Sequence, residues 1–490
     1  MRSILIFILV FSCSMAYSQA VLSDFYKQWL SGYELYHEEG WGLNLIDFND
    51  GAVSVETYDT NVNLWIDDAG SVVTDSLGQL VAVTNGCDIL DIDLSVISGG
   101  DAINGNDYYY INYCDRGFEY PSIQSSFFLP RNDGYRLIHA DKNSELIGLP
   151  ITNKIYCTDI DESGVLSKRI LIDSIYTAGR FFINPKNTLG DFVLIVLAHD
   201  SNIFETYEMH GDTFSLLKKN MIGPEINTFT EGDFRQVAFS TAGDMIAINN
   251  DSFGLMVYDF DELSGSLSNY RAYQYPTANP RGLCFSPSDE YVFVSNGEHI
   301  YQIDITTDPD DPEIFDYGHQ RITGADGWPI GVGNMQTGPD CRIYVAPSSS
   351  TNYMHVIHNP DEQGEGAGLE KYIQLPMRVG NSFTNVPNLF SSCDSTIAWE
   401  ITTSVLDIGD DVSDIYIYPN PTVASATVSL PIGSFGKLYV YDVMGQLVYA
   451  YDKYSGSPEV LIDMSDWDTG TYQVMYYSKE GVMQGRVVKM

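Results

Sequence analysis

The sequence predicts an all-β protein, a six- or seven-bladed β-propeller followed by a small C-terminal β-sandwich. Three observations carry this. Helical periodicity is nearly absent, and short runs of Val, Ile, Tyr, Phe and Thr are cut repeatedly by Gly, Asn, Asp and Pro. Asp233 to Ile305 holds two consecutive copies of one unit. Beyond an acidic linker, the texture then changes to a compact β-rich module from Asp414 onwards.

The two-copy stretch sets the ruler. Each copy opens with an arginine, Arg235 or Arg281, and a short apolar run closing in Phe239-Ser240 or Phe285-Ser286. A turn follows (Thr241 to Asp244, Pro287 to Glu290), then a strand of alternating apolar residues and a third strand. One such sheet cannot bury both faces alone, so repetition implies stacked neighbours with shared cores. Radial closure would also hide strand edges.

Further units fall at Trp65 to Asp91, Tyr120 to Ser174, Arg180 to Pro224 and Gly331 to Pro376. Strands around Leu43 to Val55 are expected to help close the ring, with Val386 to Phe390 completing their blade. Asp159 to Ser167 aligns with Asp259 to Ser268, and both read as turns joining a blade's outer strands. A calcium loop is disfavoured there, because Ile170 stands where a closing Glu is required and strands flank the loop. Asp24 to Ser31 is the one convincing short helix candidate.

Composition narrows the function. The 25 basic residues against 66 acidic ones give a net charge of −41, a field that repels nucleic acid and anionic membranes. Residues 1–18 read as a signal peptide, with Arg2 before an apolar run too short to span a bilayer and cleavage expected before Gln19. No later stretch predicts a transmembrane segment. Export exposes six remaining cysteines to oxidation, with 15 possible pairings. Cys87–Cys114 is the most plausible bridge, and Cys284, in mid-strand, is expected to be a buried free thiol. The predicted layout is residues 19–400 propeller, 401–413 linker and 414–490 sandwich.

Two resemblances sharpen this. The segment from Pro339 to Leu369 (PDCRIYVAPSSSTNYMHVIHNPDEQGEGAGL) resembles the Pro-Asp-Gly-Lys-Ile-Tyr segment of secreted propellers found with type IX secretion signals in Bacteroidota. Cys341 and Arg342 replace the usual Gly-Lys of that turn. The module from Asp414 resembles the type A sorting domain of the type IX secretion system. The likeness rests on Tyr418-Pro419-Asn420-Pro421, on Gly445 in YDVMGQLV, on Gly470 in DMSDWDTGTYQV, and on the terminal VVK ending at Lys489. Gly445 and Gly470 are both expected to supply hairpin turns. The resemblance implies cargo that engages the type IX machinery and is released from the cell or held on its outer surface.

No catalytic residues, metal ligands or cofactor can be assigned. There is no G-x-S-x-G, and His355 and His358, three apart on one strand, point to opposite faces. Arg235, Arg281 and Arg180 open equivalent inner strands and are the candidate ligand-binding residues, for a glycan or a protein. The more probable role for each is a structural ion pair. The expected function is non-catalytic binding, adhesion or a matrix role. The alternative is a lactonase-like or glycan-processing hydrolase or lyase with its site at the central channel.

Overall fold

The computed structural model describes residues 24–399 and 413–490, apart from 35–40, 59–63, 106–107, 143–150, 178–179, 187, 227–233, 277–278, 320–321, 324–328, 388–392, 431–435, 442–446, 454–458, 466 and 479–480. The expected signal peptide and most of the expected linker lie outside the described residues, as does Gly445. Two compact units result, Met1–Thr403 and Ser404–Met490.

Among the described residues of the first unit, seven blade sheets follow one another, one of five strands, one of three and five of four, with a separate two-stranded ribbon of Ile322–Thr323 and Pro329–Ile330. Blade 1 combines Gln28–Glu34, Gly42–Asp47, Ala52–Tyr58 and Leu64–Ile66, and blade 2 combines Ser71–Thr74, Leu80–Thr84 and Ile89–Leu90. Blades 3 to 7 begin with the inner strands Ser126–Arg131, Phe182–Pro185, Phe234–Phe239, Leu283–Phe285 and Met335–Thr337. Each of these five is an antiparallel meander of four strands. The aliphatic and aromatic residues of each sheet interlock with those of its neighbours. Separate cores join blades 3 and 4, 4 and 5, 5 and 6, and 6 and 7. A larger core joins blade 7 through blades 1 and 2 to blade 3, closing the ring.

The strand added to blade 1 among the described residues is Ala398–Trp399, parallel to Ala52–Tyr58, while residues 388–390 of the expected closing segment lie outside the described residues. Asn385 bridges Ser71 at the start of blade 2. The Cys341–Cys393 disulfide fastens the turn of blade 7 to the chain approaching that closing strand. Cys341 has φ +67°, a left-handed conformation normally left to glycine, and the disulfide holds it there. Arg342 follows with a 2.7 Å bond to Asp340 and one of 3.1 Å to the Ile397 carbonyl. The two residues that depart from the Gly-Lys pattern are therefore the two that tie down the closure. Cys87–Cys114 is bonded as expected, and Cys284 and Cys157 are buried free thiols.

The helix expected over residues 24–31 is absent. A single 3-10 turn, Asp24–Tyr26, leads directly into the strand Gln28–Glu34. Tertiary contacts override the local pattern here: Tyr26 donates to the Phe128 carbonyl at 2.7 Å, and Trp29 packs edge-on against Phe48 and Tyr344.

The duplicated Asp-rich motifs are hairpin turns between third and fourth strands, with Asp161 opposite Gly164 and Asp261 opposite Ser266. Asp159 also anchors a buried charge of the propeller. Arg136, 1% exposed, donates to both oxygens of Asp159 at 2.7 and 3.2 Å. Its remaining donors reach the Gly190 and Gly211 carbonyls and Asp212 in blade 4. Burial alone would raise the Asp159 carboxyl, but Arg136 and Arg131 outweigh it and hold it below the usual carboxylate range. Turn residues staple blades elsewhere too: Asp289 of blade 6 accepts from Thr241 and Ala242 of blade 5, and Asp361 of blade 7 accepts from Ser288 of blade 6.

The second unit packs a five-stranded sheet and a three-stranded sheet around one core that includes Ile417, Val428, Leu438, Val474 and Val487. Gly470 is the first residue of Gly470–Ser478, opposite Lys489, so it opens a strand instead of making the expected turn. The Asn420 side chain donates to the Arg486 carbonyl at 2.7 Å and accepts from the Val488 amide at 2.9 Å. Lys489, 8% exposed, donates to the Val423 carbonyl at 2.5 Å.

Two substitutions test these anchors. Arg136→Met keeps the aliphatic stem but strips a buried carboxylate of its main partner, and should cost about 3–5 kcal/mol, read as a lowered Tm in thermal unfolding of the full chain. Asn420→Ala removes both bonds to the last strand and should cost about 1–2 kcal/mol. Faster limited proteolysis within residues 480–490 would register it.

Candidate functional site

The inner strands converge on an axial cavity of only about 70 Å³, lined by Phe127, Phe182, Val237, Leu283, Met335 and Val386 among others. Two glutamines cross it. Gln124, just before the inner strand of blade 3, accepts from the Val237 amide at 2.9 Å and donates to the Val237 carbonyl at 3.1 Å. Gln236, on the inner strand of blade 5, accepts from the Leu283 and Met335 amides at 2.9 and 3.0 Å and donates to the Met335 carbonyl at 2.6 Å. Both side-chain amides are committed to backbone. The axis is closed at this level.

Polar residues gather where the chain enters the inner strands. Arg180 and Arg281 each stand two residues before an inner strand, those of blades 4 and 6, and Arg235 is the second residue of the blade 5 inner strand. Arg180 is 3% exposed. Arg281 is half-buried and its guanidinium reaches the Asn381 side-chain oxygen at 3.4 Å. The side chain of Arg235 lies outside the described residues.

Asn381 leads to a group that the sequence did not disclose. Its amide donates to Asp67 at 3.0 Å, and the next amide, Ser382, donates to the other Asp67 oxygen at 2.6 Å. A Cβ at Gly380 would lie 2.0 Å from that carboxylate, so only glycine permits the approach. Asp68 accepts from the Asn334 side chain at 3.0 Å. Glu119 accepts from the amides of Asp67 and Ala69, both at 3.1 Å. One oxygen from each of Asp67, Asp68 and Glu119 lies within 4.8 Å of the others, and these are the described residues grouped closely enough to hold a cation.

Three carboxyl groups this close cannot all ionise cheaply. Burial pushes Asp67 well above the ordinary carboxylate range, and the neighbouring Asp68 adds to the rise, against the pull of the Asn381 and Ser382 amides. Burial likewise raises Glu119, with Asp67 and Asp68 next in effect. The sequence signal was faint. Asp67-Asp68 is a doublet just before an inner strand, and nothing local links it to Glu119 or to Asn381.

Elsewhere, His355 is fully buried and desolvation lowers it to about 4, whereas His358 bonds Glu370 at 2.7 Å. The two do not converge.

Comparison with known proteins gives one family match. Residues 416–490 match the secretion system C-terminal sorting domain. A relative, ulvan lyase NLR42 of Nonlabens ulvanivorans, is 29% identical over 96 residues, which is 19% of this chain and 17% of that protein. The chain therefore aligns with less than a fifth of that relative's length. Similar solved structures include the Cps50 (Swd1) β-propeller domain of Myceliophthora thermophila (10% identity, 65% of this chain, 94% of that one, TM-score 0.36). A Lactobacillus plantarum protein (13%, 89%, 99%, 0.36) and a gluconolactonase from Xanthomonas campestris (14%, 67%, 85%, 0.28) are also similar. Among the described residues no helix is long and apolar enough to cross a membrane.

The raised carboxyl of Glu119 gives a test with a definite sign. As pH rises through the unfolded value of about 4.3, the unfolded chain releases its proton first, so the penalty on the folded state grows until its own raised pKa is passed and stays in full above it. Glu119→Gln keeps an oxygen to accept from Asp67 and Ala69 and removes that penalty. The variant should match the wild type near pH 4 and exceed it by roughly 1–3 °C in Tm at pH 8; scanning calorimetry at both pH values checks it. The first unit is an all-β propeller, and residues 416–490 are a type IX secretion system C-terminal sorting domain that directs the chain to the cell surface or beyond.

Proposed function

We propose that the propeller is a non-catalytic binding module, delivered by its sorting domain to the outer surface or the medium, where it serves in adhesion or matrix contact. The observation that carries this reading is the closed axis. A cavity of about 70 Å³ crossed by two committed glutamines falls far below the ~300 Å³ of the smaller ligand pockets. A propeller enzyme acting at its central channel needs that space for substrate. A ligand must instead meet the mouth, where Arg281 is the arginine best placed to contact it and Arg180 is too deeply buried to do so. Arg235 completes the proposed set.

A second reading rests on Asp67 and Glu119. Carboxyl groups pushed up by burial and by like-charged neighbours are the ordinary equipment of general acids, so a glycan-processing or lactonase-like activity at the mouth is the alternative. Glycan-array binding by the full chain, run beside lactone and polysaccharide cleavage screens, separates the two. Binding without turnover is the expected result; turnover that Glu119→Gln abolishes would establish the alternative. For delivery, removal of residues 414–490 should leave the protein in the periplasm, and its normal appearance outside the cell would overturn the cargo assignment.

A further inference from the structure

Beside the carboxylate cluster lies a cleft of about 500 Å³, lined by Trp65, Tyr108, Tyr113 and Phe118, with Asn112, Arg116 and Glu119 supplying polar groups. It is built on an insertion between blades 2 and 3, with a helical turn at Tyr108–Asn112 and a 3-10 turn at Cys114–Arg116. We propose that this cleft is a carbohydrate subsite that holds neutral sugar units of a polysaccharide. The proposal rests on reading the propeller as a binding module and supplies its ligand class and place.

Four observations carry it. The aromatic side chains are open to solvent, with Tyr108 42% and Tyr113 38% exposed. Trp65 is held rigid from behind, stacked on the buried Tyr33 at 4.5 Å, with Phe118 at 5.5 Å. A pyranose presents an apolar C–H face that stacks on such rings and a rim of hydroxyls that needs donors and acceptors, and the cleft offers both.

The insertion is also preorganised. The Cys87–Cys114 disulfide pins it to blade 2, and the buried Tyr109 and Tyr120 form a small core with Cys87. Tyr110 bonds Asp88 at 3.1 Å, and the Asn112 side chain donates to the Tyr108 carbonyl at 2.8 Å. A ligand would find these rings already ordered, so little ordering entropy opposes binding.

Charge selects among sugars. Burial first, and then the neighbouring Asp88, Asp115 and Asp101, raise Tyr110 of the insertion to about 12. Arg116 alone stands against them in the lining, on a chain of net charge −41. Sulfated or uronic-acid polymers are repelled by such a field, whereas neutral ones are not.

The test titrates the full chain calorimetrically with laminarihexaose, cellohexaose and xylohexaose, and with polygalacturonate as the acidic probe. At least one neutral hexasaccharide should bind. Tyr108→Ala and Tyr113→Ala should each weaken it about tenfold or more, with Tm unchanged because both side chains are exposed, and Tyr108→Phe should retain it. Binding of polygalacturonate alone, of no probe, or equally by both alanine variants would overturn the proposal. Loss in Arg281→Ala but not in the tyrosine variants would place the ligand at the channel mouth, rejecting the cleft while keeping a binding module. Cleavage of the hexasaccharide during titration would instead reject the non-catalytic reading, and the tyrosine variants would still decide the cleft.

Discussion

Every inner strand of a propeller turns one edge towards the axis with no strand beside it, and the backbone groups on that edge must find partners. Gln124 and Gln236 meet that demand, donating to and accepting from blades 5, 6 and 7. Water could have filled the role, as it does in many buried polar sites. Side-chain amides tie the inner strands of blades 3, 5, 6 and 7 to one another and leave only a cavity of about 70 Å³ on the axis. The polar residues of the chain's entry points gather at one mouth of this axis.

That mouth is expensive. Asp67, Asp68 and Glu119 sit close enough to raise one another, and the backbone amides of residues 67, 69, 381 and 382 offset only part of the cost. Gly380 allows the approach at the sacrifice of any side chain there. Contrast Asp159, also buried but matched by Arg136 and Arg131 and held below the usual carboxylate range. One carboxylate is compensated and structural; the others are under-compensated in a chain with few cations. Departures of the second kind concentrate where a fold does something besides fold.

Legibility followed locality. The repeat at Asp233 to Ile305 was visible because each blade reuses the same turn chemistry and strand alternation within some forty residues. The paired Asp159 and Asp259 turns are visible for the same reason, and Cys87–Cys114 because its partners sit on adjacent predicted elements. What stayed hidden depends on ring closure. Residues 67 and 381 meet because the last blade returns to the first, and no local pattern encodes that. The same holds for Cys341–Cys393 and for the strand at Gln28–Glu34, whose pattern reads as helix until Phe48, Tyr344 and Phe383 are placed around Trp29. Gln124 and Gln236 look like any surface amide in the sequence. The aromatic cleft was foreseeable only as a surplus of tyrosine.

The sorting module obeys the same logic on a smaller scale. Its recognisable motifs lie at opposite ends of the module, yet Asn420 bonds both Arg486 and Val488, and Thr422 bridges Lys489. Asparagine suits this position because one amide can donate to a carbonyl and accept from an amide two residues on, imitating a strand where the adjoining prolines cannot. Lys489 is buried with its amine on the Val423 carbonyl, so its stem packs while its charge is shared with backbone oxygen. Two short motifs that look like separate signals are thus one structural joint, and a change at either end loosens the other.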